Sequence, residues 1–187
     1  RLSEMEKFTF FWRSNSPFSQ WYPASFTVGG ITYNCAEQYM MHKKAVLFKD
    51  RQTADKVLST TQPSGQKKLG RQVRNFNEET WMQHRLDIVK AANTAKFTQN
   101  SELKKQLFAT TGTTLVEASP NDQIWGIGLS AENEEAWSRE TWRGMNLLGQ
   151  ALTEVRDEIM KNAEVDAAKS DDDTKKTSKN QGEDKEE

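Results

Sequence analysis

The sequence predicts a mainly α fold, a single helical domain with a small β-hairpin element, and three observations carry that expectation. At 187 residues the chain has about the length of one domain. Apolar residues recur at the helical period in several stretches separated by cap and breaker residues, whereas strand-like composition is confined to short runs. Two of those runs flank Gly29-Gly30, the two-residue turn of a tight hairpin.

In chain order, Phe8 to Trp12 has the composition of a short strand and runs into a loop, Arg13 to Pro23, rich in hydroxyls and rings. The hairpin pairs Ser25 to Val28 with Ile31 to Tyr33 and delivers the chain to Asn34, a favoured N-cap. Glu37 stands three residues on, where a carboxylate can reach back to the first turn. Asp50 caps a second helix over Arg51 to Leu58, Thr61 to Gly65 breaks it, and a third short helix covers Gln66 to Val73. Asn77 opens a core helix through about Phe97 on the stripe Trp81, Ile88, Ala92 and Ala95, and Ser101 caps another through Phe108. Thr113 to Ala118 reads as a strand that enters a Pro120-Asn121-Asp122 turn. A last helix is expected from near Thr141 to about Met160, with Gly149 marking close approach to another backbone.

After Met160 there is no aromatic residue, and six Lys and nine Asp or Glu dominate, so residues 161–187 are expected to form a charged disordered tail behind a globular part at 1–160. Without that tail the chain's 26 basic and 27 acidic residues leave a balance near +2, which disfavours a nucleic-acid binder acting by charge alone. One cysteine provides no disulfide scaffold, and His42 and His84 are in no zinc spacing, so no metal and no cofactor are expected. No apolar run reaches the length of a membrane span and no signal-peptide pattern is present, although the initial Arg leaves a trimmed leader open. The expectation is an intracellular, cytoplasmic protein with nuclear access open, no membrane partner and no obligate protein partner.

Several residues invite chemistry. Glu37, Met40, Met41 and Lys44 share one helical face, so a carboxylate and an ammonium flank two flexible apolar side chains. That face is either a helix cap with core filler or the wall of a cleft. Phe18, Trp21 and Tyr22 either anchor their loop or stack on a flat ligand. Lys67, Lys68, Arg71 and Arg74 form either a solvated face or a phosphate-binding rim. Asp122 is either a turn residue bonded to its own backbone or part of a site, and Asn146 can face a cleft near Trp142.

The series Pro17 to Pro23, Glu37-Gln38-Tyr39 with Lys44-Ala45, Gly70-Arg71, Asn121-Asp122 with Trp125-Gly126-x-Gly128, and Asn146-x-Leu148-Gly149 with Arg156 resembles the YbiA-like or NADAR family, in the family's order and across the whole globular part. The resemblance implies a mainly helical N-glycosidase that cleaves the bond between ribose C1 and a nitrogen of a base. It implies two substrate classes: ADP-ribose attached to guanine of nucleic acid, and phosphorylated ribosylamino intermediates of riboflavin synthesis. Carried over by position, it makes Glu37, Lys44 and Asp122 the catalytic centre, with Trp125, Gly126 and Asn146 beside it. Arg13, Ser14, Phe18, Trp21, Tyr22 and Asn121 then surround sugar and base, and Arg71 meets a phosphate. Gln38 departs from many relatives, in which a His follows the Glu.

The chemistry fits those residue types. Departure of a base nitrogen leaves positive charge on C1 and the ring oxygen, which a carboxylate stabilises while activating water. Lys44 offers a second route, in which a partly buried amine attacks C1 and holds the opened sugar as a Schiff base. The leading expectation is removal of ADP-ribose from guanine bases, with free ADP-ribose or ADP-ribosylated nucleic acid as the partner molecule. Clearance of riboflavin-pathway intermediates and a non-catalytic ADP-ribose-binding module are the alternatives.

Overall fold

A computed structural model describes residues 5–180 of the chain. In order the elements are β1 (Phe8–Phe11), β2 (Phe26–Val28), β3 (Ile31–Tyr33), α1 (Ala36–Leu47), α2 (Arg51–Leu58), α3 (Pro63–Gly70), α4 (Glu78–Thr98), α5 (Ser101–Phe108), β4 (Thr114–Glu117), two single 3-10 turns at Glu134–Trp137 and Arg139–Thr141, and α6 (Leu147–Asn180). The architecture is mainly helical with a small β2–β3 hairpin, as the sequence predicts, and β1 and β4 form a second small sheet. No helix among the described residues is long and apolar enough to cross a membrane.

The caps explain which boundaries are sharp. Asp50 Oδ1 accepts the Thr53 N–H at 3.1 Å and opens α2, and Asn77 Oδ1 accepts the Thr80 N–H at 2.9 Å and opens α4. Three other starts differ from expectation. At α1 the cap position is Cys35, and Gln38 Oε1, not Glu37, accepts the Asn34 N–H at 2.8 Å. This frees Glu37 from capping, and Gln38 Nε2 donates to the Val57 carbonyl at 3.2 Å, so Gln38 ties α1 to α2. Pro63 begins α3 at its first turn, where a missing N–H costs nothing, instead of breaking the chain. Asn100, not Ser101, holds the cap position of α5.

The core lies between α1, α4 and α6, where Met41, Ala45, Trp81, Val89, Phe97, Leu148, Leu152 and Val155 are buried together. A second cluster packs the β2–β3 hairpin on α1 and α4 through Phe26, Tyr33, Tyr39, Ala92 and Ala95. The hairpin register pairs Phe26 with Tyr33 and Val28 with Ile31. Strands β1 and β4, about a hundred residues apart in the chain, pair in parallel with Phe8 opposite Thr114 and Phe11 opposite Glu117. Both strands therefore end at the same edge, and the segments leaving them, Trp12 to Ser14 and Ala118 to Asp122, emerge side by side.

The start of the last helix is a correction. Residues 139–141 form a separate 3-10 turn, Met145 is exposed, and Asn146 adopts a left-handed φ of 51°, so α6 begins at Leu147. Met145 fits the apolar stripe by spacing alone, but the left-handed residue after it cannot continue a helix upstream. Asn146 is buried; its Oδ1 accepts the Glu117 N–H and its Nδ2 donates to the Leu115 carbonyl, both at 3.0 Å. Gly149 does meet backbone: a Cβ there would run into the Leu115 carbonyl and the Asn146 amide. Gly149→Ala is accordingly expected to cost about 3 kcal/mol, because the obstacle is strand backbone that cannot swing away. A drop in the urea midpoint measures it.

The tail departs from expectation as far as it is described. Through Asn180 it continues α6 as helix rather than as disordered chain, with every side chain from Lys161 to Lys179 exposed. Ala, Lys and acidic residues have adequate helix propensity, and pairs such as Lys176 with Asp172 at 3.1 Å lie one turn apart. Burial is not what orders this segment. Residues 181–187 of the expected tail lie outside the described residues.

Candidate active site

Where β1 and β4 end, facing α1 and α3, a cleft of about 900 Å³ opens, within the range of about 300–1,000 Å³ usual for small-molecule sites. Each wall is a different element. The α1 face supplies Glu37, Met40, Met41 and Lys44, which sit together along the cleft as the helical spacing requires. Lys67, Gly70 and Arg71 come from α3 and its end, Trp81 from α4, Glu117 from β4, and Ser119 and Asn121 to Trp125 from the loop after it. Trp12, Arg13, Ser14 and Ser19 to Trp21 close the remaining side. Arg13 has a left-handed φ of 74° and lies 4.6 Å over the Trp12 ring; a non-glycine residue held there costs conformational energy and is typical of functional loops.

The loop is pinned from beneath by a buried cation. Lys96 Nζ donates to the Pro17 carbonyl at 2.7 Å and the Ser19 carbonyl at 3.1 Å, and burial pushes its ammonium down to about 7. One residue on, the Gln20 carbonyl accepts the Glu37 N–H at 2.9 Å. The same anchor thus sets the loop and the first turn of α1.

Electrostatics single out four groups. Glu37 is 4% exposed, and burial pushes its carboxyl from an ordinary 4.5 up to about 7; Asp122 adds to that, while Lys67, Lys44 and Arg71 oppose it. Glu117 is pushed to about 7 as well, by burial first and then by Asp122 and Glu37, with Lys67 opposing. Lys44 is shifted down by partial burial, with Arg71 pushing the same way and Glu37 resisting. Its Nζ sits 4.7 Å from the Phe76 ring centre and 5.4 Å from that of Trp81, so two aromatic faces flank the amine. Asp122 Oδ1 accepts the N–H groups of Ile124 and Trp125 at 2.9 Å each, which makes it the turn residue and a cleft residue at once.

Of the expected site residues, Glu37, Lys44, Asp122, Arg13, Ser14, Trp21, Arg71, Asn121 and Trp125 line the cleft. Phe18, Tyr22, Gly126 and Asn146 do not. Phe18 is buried against Phe11 and Phe97, and Tyr22 packs on the same core under Lys96. Gly126 lies behind the wall, where a Cβ would approach the Glu117 carbonyl to 2.9 Å, and Asn146 is spent on the β4 backbone. Trp12, Gln20, Trp81 and Glu117 also line the cleft, and nothing in the sequence singles them out for it; Lys67, a member of the expected basic rim, lines it too. The most that Glu117 shows is a carboxylate closing an apolar strand. Among the described residues no group of three His, Cys, Asp or Glu is arranged to hold a metal ion.

Fold and cleft together define a mainly helical domain in which one buried carboxyl, Glu37, a half-buried one, Glu117, and the half-buried amine of Lys44 line a single pocket. Comparison with known proteins makes that class specific. A family model described as NADAR domain matches residues 10–160. The chain is 43% identical over 166 residues to N-glycosidase R617 of Acanthamoeba polyphaga mimivirus, covering 83% of this chain and 98% of that one. It is 30% identical over 145 residues to a riboflavin biosynthesis protein of Vibrio vulnificus, covering 78% of this chain but 36% of the larger protein. The NMR structure of the E. coli protein YbiA superposes with a TM-score of 0.70 at 24% identity, over 86% of this chain and 89% of that one, and supports the fold. The chain belongs to the NADAR family of YbiA-like proteins and is, by homology, an N-glycosidase.

Proposed function

We propose that this N-glycosidase removes ADP-ribose from guanine bases of nucleic acid, breaking the bond between ribose C1 and the base nitrogen. The observation that carries the reading is that Glu37, Lys44 and Asp122 line one cleft, which also offers cations and rings. Lys67 and Arg71 on one side suit the two phosphates of ADP-ribose, because cations at a cleft rim pair with phosphate oxygens. Trp12, Trp21 and Trp125 suit a ligand with a base at each end, since stacking is tolerant of which base is present. Glu37 in its ionised form stabilises positive charge at C1 and takes a proton from the attacking water. Lys44 acts either as the nucleophile at C1 or as a cation that orients the substrate.

A second reading, hydrolysis of ribosylamino-pyrimidine phosphates, is favoured by the relative that functions in riboflavin biosynthesis. The two separate in one mass-spectrometric assay that supplies an ADP-ribosylated guanine oligonucleotide and the ribosylamino-pyrimidine phosphate in turn. Free ADP-ribose released from the first alone supports the proposal. Turnover of the second alone replaces it with metabolite clearance, and turnover of neither leaves a binding module. Within the proposal Arg71→Ala is expected to raise KM about tenfold with little change in kcat, the signature of a contact made equally in ground and transition states. Steady-state kinetics on the oligonucleotide checks it.

A further inference from the structure

Glu117 is built into the cleft more firmly than its place in a short strand requires. Its N–H is held by Asn146 Oδ1 at 3.0 Å and its carbonyl accepts the Ile127 N–H at 3.0 Å, while the absence of a Cβ at Gly126 lets that loop close against the same carbonyl. The side chain emerging from this clamp lines the cleft, yet its Oε2 is shut off from solvent with no hydrogen-bond partner. An ionised carboxylate left in that state is costly, and a neutral carboxyl much less so.

The surrounding charges divide the two carboxyls, Glu37 buried and Glu117 half-buried. Glu37 is offset by three cations, Lys67, Lys44 and Arg71. Glu117 meets Glu37 from α1 and Asp122 from the following loop, with only Lys67 from α3 in compensation. Its partner in β1, Phe11, and its anchor before α6, Asn146, carry no charge. When two interacting carboxyls lose their protons in succession, the one with fewer cations keeps its proton longer.

We propose that Glu117 is the general acid of the site, giving its carboxyl proton to the departing base nitrogen; this rests on the N-glycosidase reading above. As the C1–N bond breaks, its electron pair stays on nitrogen, which takes the proton from Glu117. On the direct route the water oxygen bonds to C1 and one water proton passes to the Glu37 carboxylate; on the Lys44 route the amine bonds to C1 first and water releases the sugar afterwards. Exchange with solvent returns Glu37 to carboxylate and Glu117 to acid, so the net reaction adds one water across the C1–N bond.

Glu117→Gln keeps shape and polarity and removes the transferable proton. On the ADP-ribosylated guanine oligonucleotide, kcat is expected to fall by about 10²–10⁴ while ADP-ribose binding stays within about threefold, and the alkaline limb of the kcat/KM profile disappears. Turnover within about threefold of the wild type, or an alkaline limb that persists, overturns the acid role and leaves the proposed function standing. An infrared difference spectrum, wild type minus Glu117→Gln at about pH 6, reads the protonation state without substrate. It is expected to contain a carboxylic-acid carbonyl band. Should the wild type fail to turn over the oligonucleotide, the functional reading falls; an ionised Glu117 in that spectrum overturns the acid role by itself.

Discussion

Glu37→Gln is expected to reduce turnover by about 10³-fold or more while ADP-ribose still binds, because the substitution keeps the shape of the α1 wall and removes the charge that meets the developing cation at C1. A binding module predicts the reverse, weakened binding with no turnover to lose. Glu37 must be ionised to act, so wild-type kcat/KM rises as pH passes through about 7, where burial places its carboxyl. That acid limb vanishes in the variant. Stability moves in the opposite sense. The folded-state value is raised, so the stabilising contribution is full below the ordinary 4.5 and is lost as pH rises through about 7. The window corresponds to a cost on the order of 3 kcal/mol at alkaline pH. Glu37→Gln is therefore expected to be more stable than the wild type at about pH 8 and no more stable at about pH 4, read by urea unfolding at the two pH values.

Lys44→Arg is expected to lower turnover by about 10²-fold or more, although it retains the positive charge beside Glu37 and a planar cation for the Phe76 and Trp81 faces. What it removes is an amine that gives up its proton. Partial burial and Arg71 make the free amine easier to reach at neutral pH, which is the condition for attack on C1. If Lys44→Arg kept near-native turnover, the covalent route would be excluded and Lys44 would be a positioning cation. Lys44→Ala, which removes charge and amine together, separates the two roles: a loss larger than in Lys44→Arg measures what the charge alone supplies.

Local signals in the sequence reached far into this fold. Asp50 and Asn77 announce α2 and α4 because each side chain takes a backbone N–H of the first turn, an interaction complete within four residues. The face carrying Glu37, Met40, Met41 and Lys44 is likewise a matter of helical spacing. What stayed hidden depends on distant partners. The parallel pairing of β1 with β4 brings together segments a hundred residues apart, and nothing in either run names the other. Glu117 is set in place by that pairing and by Asn146, so alternation along the strand could not reveal it. Phe18 and Tyr22 show the converse, rings in a ligand-facing loop that turn into the core while Trp12 and Trp21 turn out. Asn146 lies close in sequence to the cleft residues and the resemblance places it at the ligand, but its left-handed backbone aims the amide at β4.

The most direct test of the central claim joins binding and chemistry on one substrate. Wild type and Glu37→Gln are each mixed in excess with an ADP-ribosylated guanine oligonucleotide, and bound substrate and released ADP-ribose are followed through a single turnover. The account predicts that both proteins bind the oligonucleotide and only the wild type releases ADP-ribose and an intact guanine. Equal release by the two, or binding by the wild type with no release, would contradict it.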